Sequence, residues 1–321
     1  MANPIPTTSY TEIITTTLDN YRSKLADNVL KHNPLLAKLN SKGNVDTASG
    51  GSKLLENLMY DENGTFKWYS GYEALDTSGS DVLTSASFDW KQANCNVTLS
   101  GLEELQNSGR QAVHNLVKSR IQVAEKTLQN RISAALFYSN TENGGKSIGG
   151  LQHLVSDLPT SGTVGGIDRS TNTWWRNQYY DFSTQGVTAS SSTIMHAMNL
   201  VYLQCSRNAD VPDMVVAGDT YFTYFEESLQ AQQRFMSETT GAGGFKGYKY
   251  KNAEVFYDYN CASTRMYMLN TDYIFFRPHE NRNFVTLDRK SAVNQDATLV
   301  PLYWAGNLTI ANSALQGAIV A

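Results

Sequence analysis

The chain has 321 residues, of which 41% are hydrophobic and 17% are charged, and its formal net charge is −4. This apolar content supports a packed core, whereas the low share of charge suits a surface covered by other chains. The acidic balance disfavours a dedicated nucleic-acid-binding domain, since such domains are usually basic. Cys95, Cys205 and Cys261 are widely spaced and odd in number, which favours a reducing compartment. Neither a secretory signal peptide nor a membrane-spanning apolar run is predicted.

The first part of the chain is predicted to form an arm. Residues 1–9 are predicted to be extended, and a helix is predicted from Tyr10 onward. Its apolar side chains recur at steps of three or four residues: Ile14, Leu18, Tyr21, Leu25 and Val29. Pro34 is expected to end this helix, since proline disfavours helical geometry in the preceding residue. Residues 35–39 could add one further turn. An ordinary first helix of a core is the alternative interpretation.

The next segment is predicted to form an extended β loop with little core of its own. Asn63-Gly64 is a typical two-residue hairpin turn, and it lies between the predicted strands Leu54–Tyr60 and Thr65–Tyr72. Alternating polar and apolar residues predict a second ribbon over Ser87–Trp90 and Cys95–Leu99. Two ribbons of this size are marginal in isolation, so the loop is expected to need another surface to lie on.

A long helix is predicted from Gly101 to Tyr138. Ser100 and Glu103 have the spacing of a capping box at its start. At 1.5 Å per residue, about 38 helical residues span roughly 55 Å. The basic residues scatter around the helix, which favours a solvated surface over a nucleic-acid contact. One apolar stripe follows it: Leu102, Leu105, Val113, Leu116, Ile121, Ala124, Leu128, Ile132 and Ala135.

Loops, helices and strands are predicted to alternate after a Gly-rich turn. An aromatic cluster comes first: Trp174, Trp175, Tyr179, Tyr180 and Phe182. A helix over Ile194–Cys205, the buried strand Met214–Ala217 and a helix over Gly218–Leu229 predict a small α/β unit. Further strands are predicted at Ala253–Tyr259, Arg265–Leu269, Tyr273–Phe276, Thr298–Trp304 and Leu308–Ile310. Because residues 297–321 contain no Asp, Glu, Lys, Arg or His, the last strands are expected to be paired or covered.

No sequence pattern predicts a catalytic, cofactor or metal site. Gly144-Gly145-Lys146-Ser147 resembles the end of a phosphate-binding loop, but Asn140 stands where that motif needs glycine, and the segment follows a helix. The Gly-rich stretch 241–247 lacks the strand–turn–helix context that binds a pyrophosphate. The five histidines have no second ligand at metal-binding spacing. Glu226 and Glu227 are adjacent, so they do not face each other on a helix. The protein is therefore predicted not to be an enzyme.

Three segments resemble the major capsid proteins of tailed bacteriophages, whose Hong Kong 97 type fold is shared with encapsulins. Residues 97–108, Val-Thr-Leu-Ser-Gly-Leu-Glu-Glu-Leu-Gln-Asn-Ser, look like this family's entry into its long spine helix. Residues 143–151 resemble the Gly-rich turn after that helix. Gly165–Arg169 together with Trp174–Asn177 look like a segment found in many phage capsid sequences. The order of elements matches over nearly the whole chain.

The resemblance implies an α+β fold of the Hong Kong 97 type with four parts. These are an N-terminal arm over residues 1–43, an extended β loop over 44–99, a peripheral domain over 100–160 and 291–321 that contains the spine helix 101–138, and an axial α/β domain over 161–290.

The implied function is that of a shell-forming structural protein without cofactors. Hexamers and pentamers would form an icosahedral capsid around double-stranded DNA, without sequence-specific binding and without a membrane. A portal protein and separate scaffolding or decoration proteins are the expected partners. The protein would be made in the cytoplasm of a bacterial host and would reside in the virion. Trp68, Tyr69 and Trp90 are the predicted inter-subunit contacts, because the extended loop would lie across a neighbour. No crosslink through Lys53 or Lys67 is predicted.

Three alternatives stay open from the sequence. An encapsulin-like compartment, which encloses cargo enzymes, would have the same architecture, and portal and terminase genes beside this one would favour a phage. A glycan-active hydrolase would suit the many tyrosines and tryptophans, but it needs two carboxylates about 5–10 Å apart in one cleft. An extracellular array protein is disfavoured by the missing signal peptide.

Overall fold

The structure, a computed structural model, describes residues 33–106, 116–230, 239–240, 246–287, 290–291 and 296–321. Its helices are α1 Pro34–Lys42, α2 Gly101–Gln106, α3 Leu116–Ala135, the distorted turn α4 Glu142–Gly145, α5 Leu151–Leu154, α6 Ile194–Gln204 and α7 Asp219–Gln230. Single 3₁₀ turns cover Thr173–Trp175, Thr271–Tyr273 and Glu280–Arg282.

The strands are β1 Leu54–Met59, β2 Leu83–Phe88, β3 Lys91–Ser100, β4 Thr163–Val164, β5 Ile167–Asp168, β6 Gln178–Asp181, β7 Met214–Ala217, β8 Thr239–Thr240, β9 Lys246–Tyr250, β10 Ala253–Tyr257, β11 Arg265–Leu269, β12 Ile274–Pro278, β13 Val285–Thr286, β14 Lys290–Ser291, β15 Ala297–Ile310 and β16 Gly317–Val320. This mixture of helices and sheets confirms the predicted α+β class.

Two larger sheets organise these strands. The five-stranded sheet is built around β15, which pairs with β3, β12, β13 and β14. The seven-stranded sheet has the order β6-β16-β11-β7-β10-β9-β8. Its β7–β10 and β6–β16 pairs are parallel. The remaining strands form two separate ribbons, β1–β2 and β4–β5.

Two hydrophobic clusters cover the opposite faces of the seven-stranded sheet. Met214 and Val216 lie in the larger cluster, whereas Val215 and Ala217 lie in the smaller one. Strand residues alternate between faces, so a strand covered on both sides is apolar throughout. The larger cluster includes Leu128 of α3 and residues of the five-stranded sheet, and the smaller one lies against α6 and α7. The predicted order of α6, β7 and α7 is confirmed.

The C-terminal segment is more continuous than the sequence suggests. β15 is one strand of 14 residues, so the predicted interruption between Trp304 and Leu308 is wrong. Gly306 looks like a break, but it is required by a close approach: a Cβ there would lie 2.6 Å from the Arg277 carbonyl oxygen. The expected coverage of the uncharged end is confirmed by the burial of β15 from Val300 onward, Tyr303 excepted. β16, which was not predicted, lies between β6 and β11.

Pro34 begins a helix in the structure. The predicted helix from Tyr10 lies outside the described residues. Asn33 has an extended conformation (φ −108°, ψ 114°), and its side chain accepts the Leu36 N–H at 3.1 Å. Proline at the first helical position loses no hydrogen bond, so its restriction of Asn33 favours a helix start here. The predicted further turn is α1, whose Leu35 and Leu39 are buried.

The long helix is described as α2 and α3, with residues 107–115 outside the description. Part of the predicted capping box is present, because the Glu103 carboxylate accepts the Ser100 N–H at 3.1 Å. Glu103 also pairs with Arg120 of α3 at 2.9 Å. In α3 the predicted stripe is confirmed by four buried residues: Ala124, Leu128, Ile132 and Ala135. The Leu102 side chain is exposed, so its place in the stripe is wrong.

The two sheets do not follow the division of residues predicted from the sequence. That division groups 291–321 with the long helix and 161–290 apart from it. In the structure, β16 lies in the seven-stranded sheet with β11, whereas β12 and β13 lie in the five-stranded sheet with β15. The chain therefore passes from the seven-stranded to the five-stranded sheet between β11 and β12, and back again between β15 and β16. Strand periodicity alone does not indicate either crossing.

Candidate assembly surface

A ribbon of two strands lies outside the two larger sheets. β1 pairs with β2 in antiparallel register, from Leu54 opposite Phe88 to Met59 opposite Leu83. We call these two strands the arm base, and residues 60–82, which connect them, the arm tip.

The predicted hairpin at Asn63-Gly64 is wrong. A local turn is present, since the Phe66 N–H donates to the Asn63 carbonyl at 3.3 Å. However, residues 65–72 form no strand. β1 instead pairs with β2, whose buried Ala86 and Phe88 match its own buried face. The buried face decides the pairing, because a strand partner must also cover apolar side chains.

A buried ion pair fixes the arm base to the five-stranded sheet. Glu56 lies on the same face of β1 as Leu54 and Leu58 and is 6% exposed. Its carboxylate lies 2.6 Å from the Arg277 Nε and accepts the Thr309 hydroxyl at 2.7 Å. Arg277 belongs to β12 and Thr309 to β15. A buried carboxylate needs such partners, so the base has one well-defined position on the sheet.

The segment that resembles phage capsid sequences supports β2, the second strand of the arm base. The Ser87 N–H donates to the Gly165 carbonyl at 2.7 Å. Gly165 has a φ of +60°, and a Cβ there would lie 2.8 Å from the Ala86 Cβ. Trp175 is buried beneath this segment, and its indole N–H donates to the Val164 carbonyl at 3.0 Å. The glycine therefore allows close backbone contact with the arm base.

The arm tip exposes large apolar side chains. Trp68 is 89% exposed, and four further apolar residues are each more than half exposed: Phe66, Tyr69, Tyr72 and Leu75. The Phe66 and Trp68 rings meet edge to face, with centroids 5.6 Å apart. Large apolar side chains exposed together on one segment are typical of an interaction site.

Polar bonds give the arm tip a defined shape without a core. The Asn63 carboxamide oxygen accepts the Thr65 N–H at 3.0 Å and the Ser80 hydroxyl at 3.0 Å, which links the two ends of the tip. The Lys67 ammonium donates to the Ala74 carbonyl at 2.6 Å and lies 3.6 Å from Glu73. A surface that is ordered before contact loses less entropy on association.

The arm tip is strongly acidic. It contains one basic residue, Lys67, against five acidic ones: Asp61, Glu62, Glu73, Asp76 and Asp81. Its net charge of −4 equals the formal net charge of the whole chain, so the remaining residues balance to zero. Hydrogen bonds from the backbone and side chain of Ser78 lower the pKa of Asp76, which keeps that carboxylate ionised.

The structure places two of the three predicted contact residues together. Trp68 and Tyr69 lie on the arm tip and are exposed. Trp90 instead follows β2 and packs within its own chain: its indole N–H donates to the Gly51 carbonyl at 2.9 Å, and its ring centre lies 5.3 Å from that of His279. The predicted contact residues do not include Phe66, Tyr72 or Leu75. The aromatic and apolar character of these residues, on a segment with no core, was a usable signal.

A cavity of about 560 Å³ lies among the end of α3, the turn at α4 and the start of β3. Three basic residues line it, Lys91, Arg131 and Lys146, together with Trp304 of β15. The described lining contains no Asp or Glu. A glycosidase needs a pair of carboxylates in its cleft, so this cavity does not provide one.

The remaining candidates for chemistry have structural explanations. The Gly-Gly-Lys-Ser segment forms a tight turn in which Asn143, Gly144 and Gly145 have positive φ angles. This turn follows helix α3 rather than a strand, so it lacks the strand-to-helix context of a phosphate loop. Burial above all raises the pKa of the Cys205 and Cys261 thiols to about 12, which disfavours a thiolate nucleophile. Among the described residues, no group of three or more His, Cys, Asp or Glu could hold a metal ion. Across that same part of the chain, no helix is long and apolar enough to cross a membrane.

No family model matches the chain, and no curated protein matches it. Solved structures do match, over nearly its whole length. The capsid asymmetric unit of cyanophage A-1(L) has a TM-score of 0.69 at 16% identity and covers 93% of this chain and 95% of its own. The capsid of an empty GTA particle has a TM-score of 0.60 at 12% identity, covering 94% of both chains.

An encapsulin is also similar. The holo-SrpI encapsulin complex from Synechococcus elongatus has a TM-score of 0.59 at 8% identity and covers 92% of this chain and 91% of its own. Identities this low establish a shared fold. The chain therefore has the Hong Kong 97 type fold that phage capsid proteins share with encapsulins, as its element order predicts.

Proposed function

We propose that the chain is the major capsid protein of a tailed bacteriophage, which self-assembles into an icosahedral shell around a double-stranded DNA genome. The observation that carries this proposal is the arm. Its base is fixed by the Glu56–Arg277 pair, while its tip exposes Trp68 and neighbouring aromatic residues. A large exposed apolar surface on an ordered segment is explained by another molecule that covers it. Copies of the same chain supply that cover in a shell.

The two sheets suggest how the subunit is divided in the shell. The five-stranded sheet with α3 would form the peripheral part, and the seven-stranded sheet with α6 and α7 would form the axial part near capsomer centres. This assignment moves β16 to the axial part and β12 and β13 to the peripheral part. The arm base is anchored on the peripheral part through Arg277 and Thr309, so the tip would extend from there over a neighbour.

Assembly of this kind joins unlike surfaces of successive copies. Such head-to-tail contacts close into rings when the rotation permits, which suits hexamers and pentamers. A portal protein and separate scaffolding or decoration proteins would complete the virion, after synthesis in the cytoplasm of the bacterial host. Burial of apolar surface between subunits contributes about 25 cal/mol per Å² to the stability of the shell. This proposal for assembly includes no covalent step, so it assigns no catalytic residue.

An encapsulin-like shell is the second candidate, favoured by the similarity to the Synechococcus encapsulin. The subunit contacts would be the same in kind, and the difference would lie in the contents. Neighbouring portal and terminase genes would indicate a phage, whereas a neighbouring cargo-enzyme gene would indicate a compartment.

Negative-stain microscopy of the purified protein tests the proposal. The wild-type chain is expected to form uniform closed particles. A matched variant replaces residues 60–82 by Asn-Gly, which suits a two-residue hairpin between β1 and β2. This variant should fold, since the tip adds little buried surface, but it should not form particles. A wild-type chain that stays monomeric across protein concentrations and salt conditions would contradict the proposal.

A further inference from the structure

The basic cavity between α3, the α4 turn and β3 has no anion within the described part of the chain. Arg131 and Lys146 are exposed at its rim, and neither forms an ion pair among the described residues. The Lys91 ammonium donates to the Gly145 carbonyl at 2.5 Å, which holds the turn against β3 but leaves the positive charge uncompensated. Three cations lining one cavity without a carboxylate favour an acidic ligand.

The charged groups of the lining fit this ligand chemistry. The lysine and arginine groups can only donate hydrogen bonds, so the cavity suits a ligand that presents anionic oxygen atoms. Trp304 also lines the cavity, but its indole N–H is fully buried, so a ligand in the cavity does not contact that group.

The arm tip has the complementary charge. No residue of the tip lines the cavity of its own chain. The Glu62 and Asp81 side chains, near the two ends of the tip, are exposed and form no hydrogen bond or ion pair among the described residues. The exposed aromatic residues lie between them in sequence, so the same segment offers both apolar area and free carboxylates.

We propose that this cavity receives carboxylates from the arm tip of a second copy of the chain. The inference rests on the proposed function and identifies its contact surface. The aromatic residues supply the buried area, and the charged groups set the orientation and the pairing partner. Because the tip and the cavity are different surfaces, the contact is head-to-tail and can continue from copy to copy.

Charge reversal and its rescue test the proposal. Arg131→Glu with Lys146→Glu should lower the yield of closed particles at least about tenfold, and Glu62→Lys with Asp81→Lys should do the same, because each creates like-charge contacts. Combining all four substitutions should restore particles, because opposite charges meet again.

The matched control is Arg207→Glu with Lys249→Glu, which changes two exposed basic residues that do not line the cavity. This control should assemble normally. Particles are counted by microscopy and sedimentation on nuclease-treated protein.

The outcomes separate this inference from the proposed function. Wild-type protein that never assembles contradicts the proposed function. Two results would overturn the inference alone, provided that the wild type assembles. One is that the variant with all four substitutions does not assemble, and the other is that Arg131→Glu with Lys146→Glu assembles normally. If cavity reversal abolishes only the retention of added double-stranded DNA and arm reversal has no effect, the ligand is a phosphate backbone and the inference is wrong. Arg131→Gln with Lys146→Gln, checked by thermal melting, separates a lost contact from a folding defect.

Discussion

The arm base and the arm tip come from one polar stretch of chain, yet they differ in what covers them. The base buries Leu54, Leu58 and a paired Glu56 against its own subunit. The tip exposes Trp68 and Tyr72 and is shaped by short-range polar bonds. A segment without a core can therefore divide its roles. The part near the body contributes to folding, and the part beyond it remains available for association.

The largest expected effect on folding comes from breaking the ion pair of the arm base. Arg277→Ala would leave the Glu56 carboxylate buried without its cation, which typically costs about 3–5 kcal/mol. The measurement is the free energy of unfolding from urea titration of unassembled protein. Asp46→Asn is the control, because Asp46 is largely exposed and lies 3.3 Å from the same guanidinium, so its loss should cost below about 1 kcal/mol. Equal losses in both variants would show that the base is not anchored by a buried charge.

Acid should weaken the subunit body through His153. Burial, with Arg169 and Lys91 nearby, lowers the pKa of His153 to about 4. The unfolded chain then binds the proton more tightly, so stability is present above pH 6.5 and is lost as the pH falls toward 4. The expected loss is about 2–3 kcal/mol after allowance for partial exposure. Urea titrations at both pH values measure it.

His153→Gln should remove most of this pH dependence, whereas His196→Gln, at an exposed position on α6, should keep it. A His153→Gln protein that loses as much stability in acid as the wild type would assign the effect to other groups. The same pH titration should be repeated on the variant whose arm tip is replaced by Asn-Gly. Acid should lower its free energy of unfolding as much as that of the wild type, because His153 lies outside the arm.

Trp90 should behave as part of the base, although the sequence groups it with Trp68. Trp90→Ala removes the indole hydrogen bond to Gly51 and the ring contact with His279, which together are worth about 1–2 kcal/mol. Unfolding of unassembled protein measures this loss. Normal stability combined with lost assembly would instead place Trp90 on the contact surface.

Periodicity predicts the parts of the fold that local spacing determines. The apolar run Met214–Ala217 and the helical patterns on either side of it are short-range signals, and the structure has α6, β7 and α7 there. The order of elements was also sufficient for the fold type. In the arm, however, the Asn63-Gly64 signal competes with a pairing between β1 and β2 that depends on a distant surface. The turn forms locally, but burial decides the register.

Neither the ion pair of the arm base nor the basic cavity could be predicted, because the residues that form each of them are far apart in sequence. Glu56 and Arg277 are separated by 221 positions. Lys91, Arg131 and Trp304 meet in one cavity only after β3 pairs with β15 and α3 packs on that sheet. Strand β16 was missed for a related reason: four small and apolar residues at the chain end acquire their role by insertion between β6 and β11.

Trp68→Ala should have the smallest effect on folding and a large effect on assembly. The side chain is 89% exposed, so the free energy of unfolding should change by less than about 0.5 kcal/mol. In a shell, burial of roughly 200 Å² of this indole would contribute up to about 5 kcal/mol per contact. Particle yield should therefore fall sharply, and Trp68→Phe should retain much of it. If Trp68→Ala lowers the stability of unassembled protein by more than about 1 kcal/mol, the tip supports the fold, and the separation between base and tip is wrong.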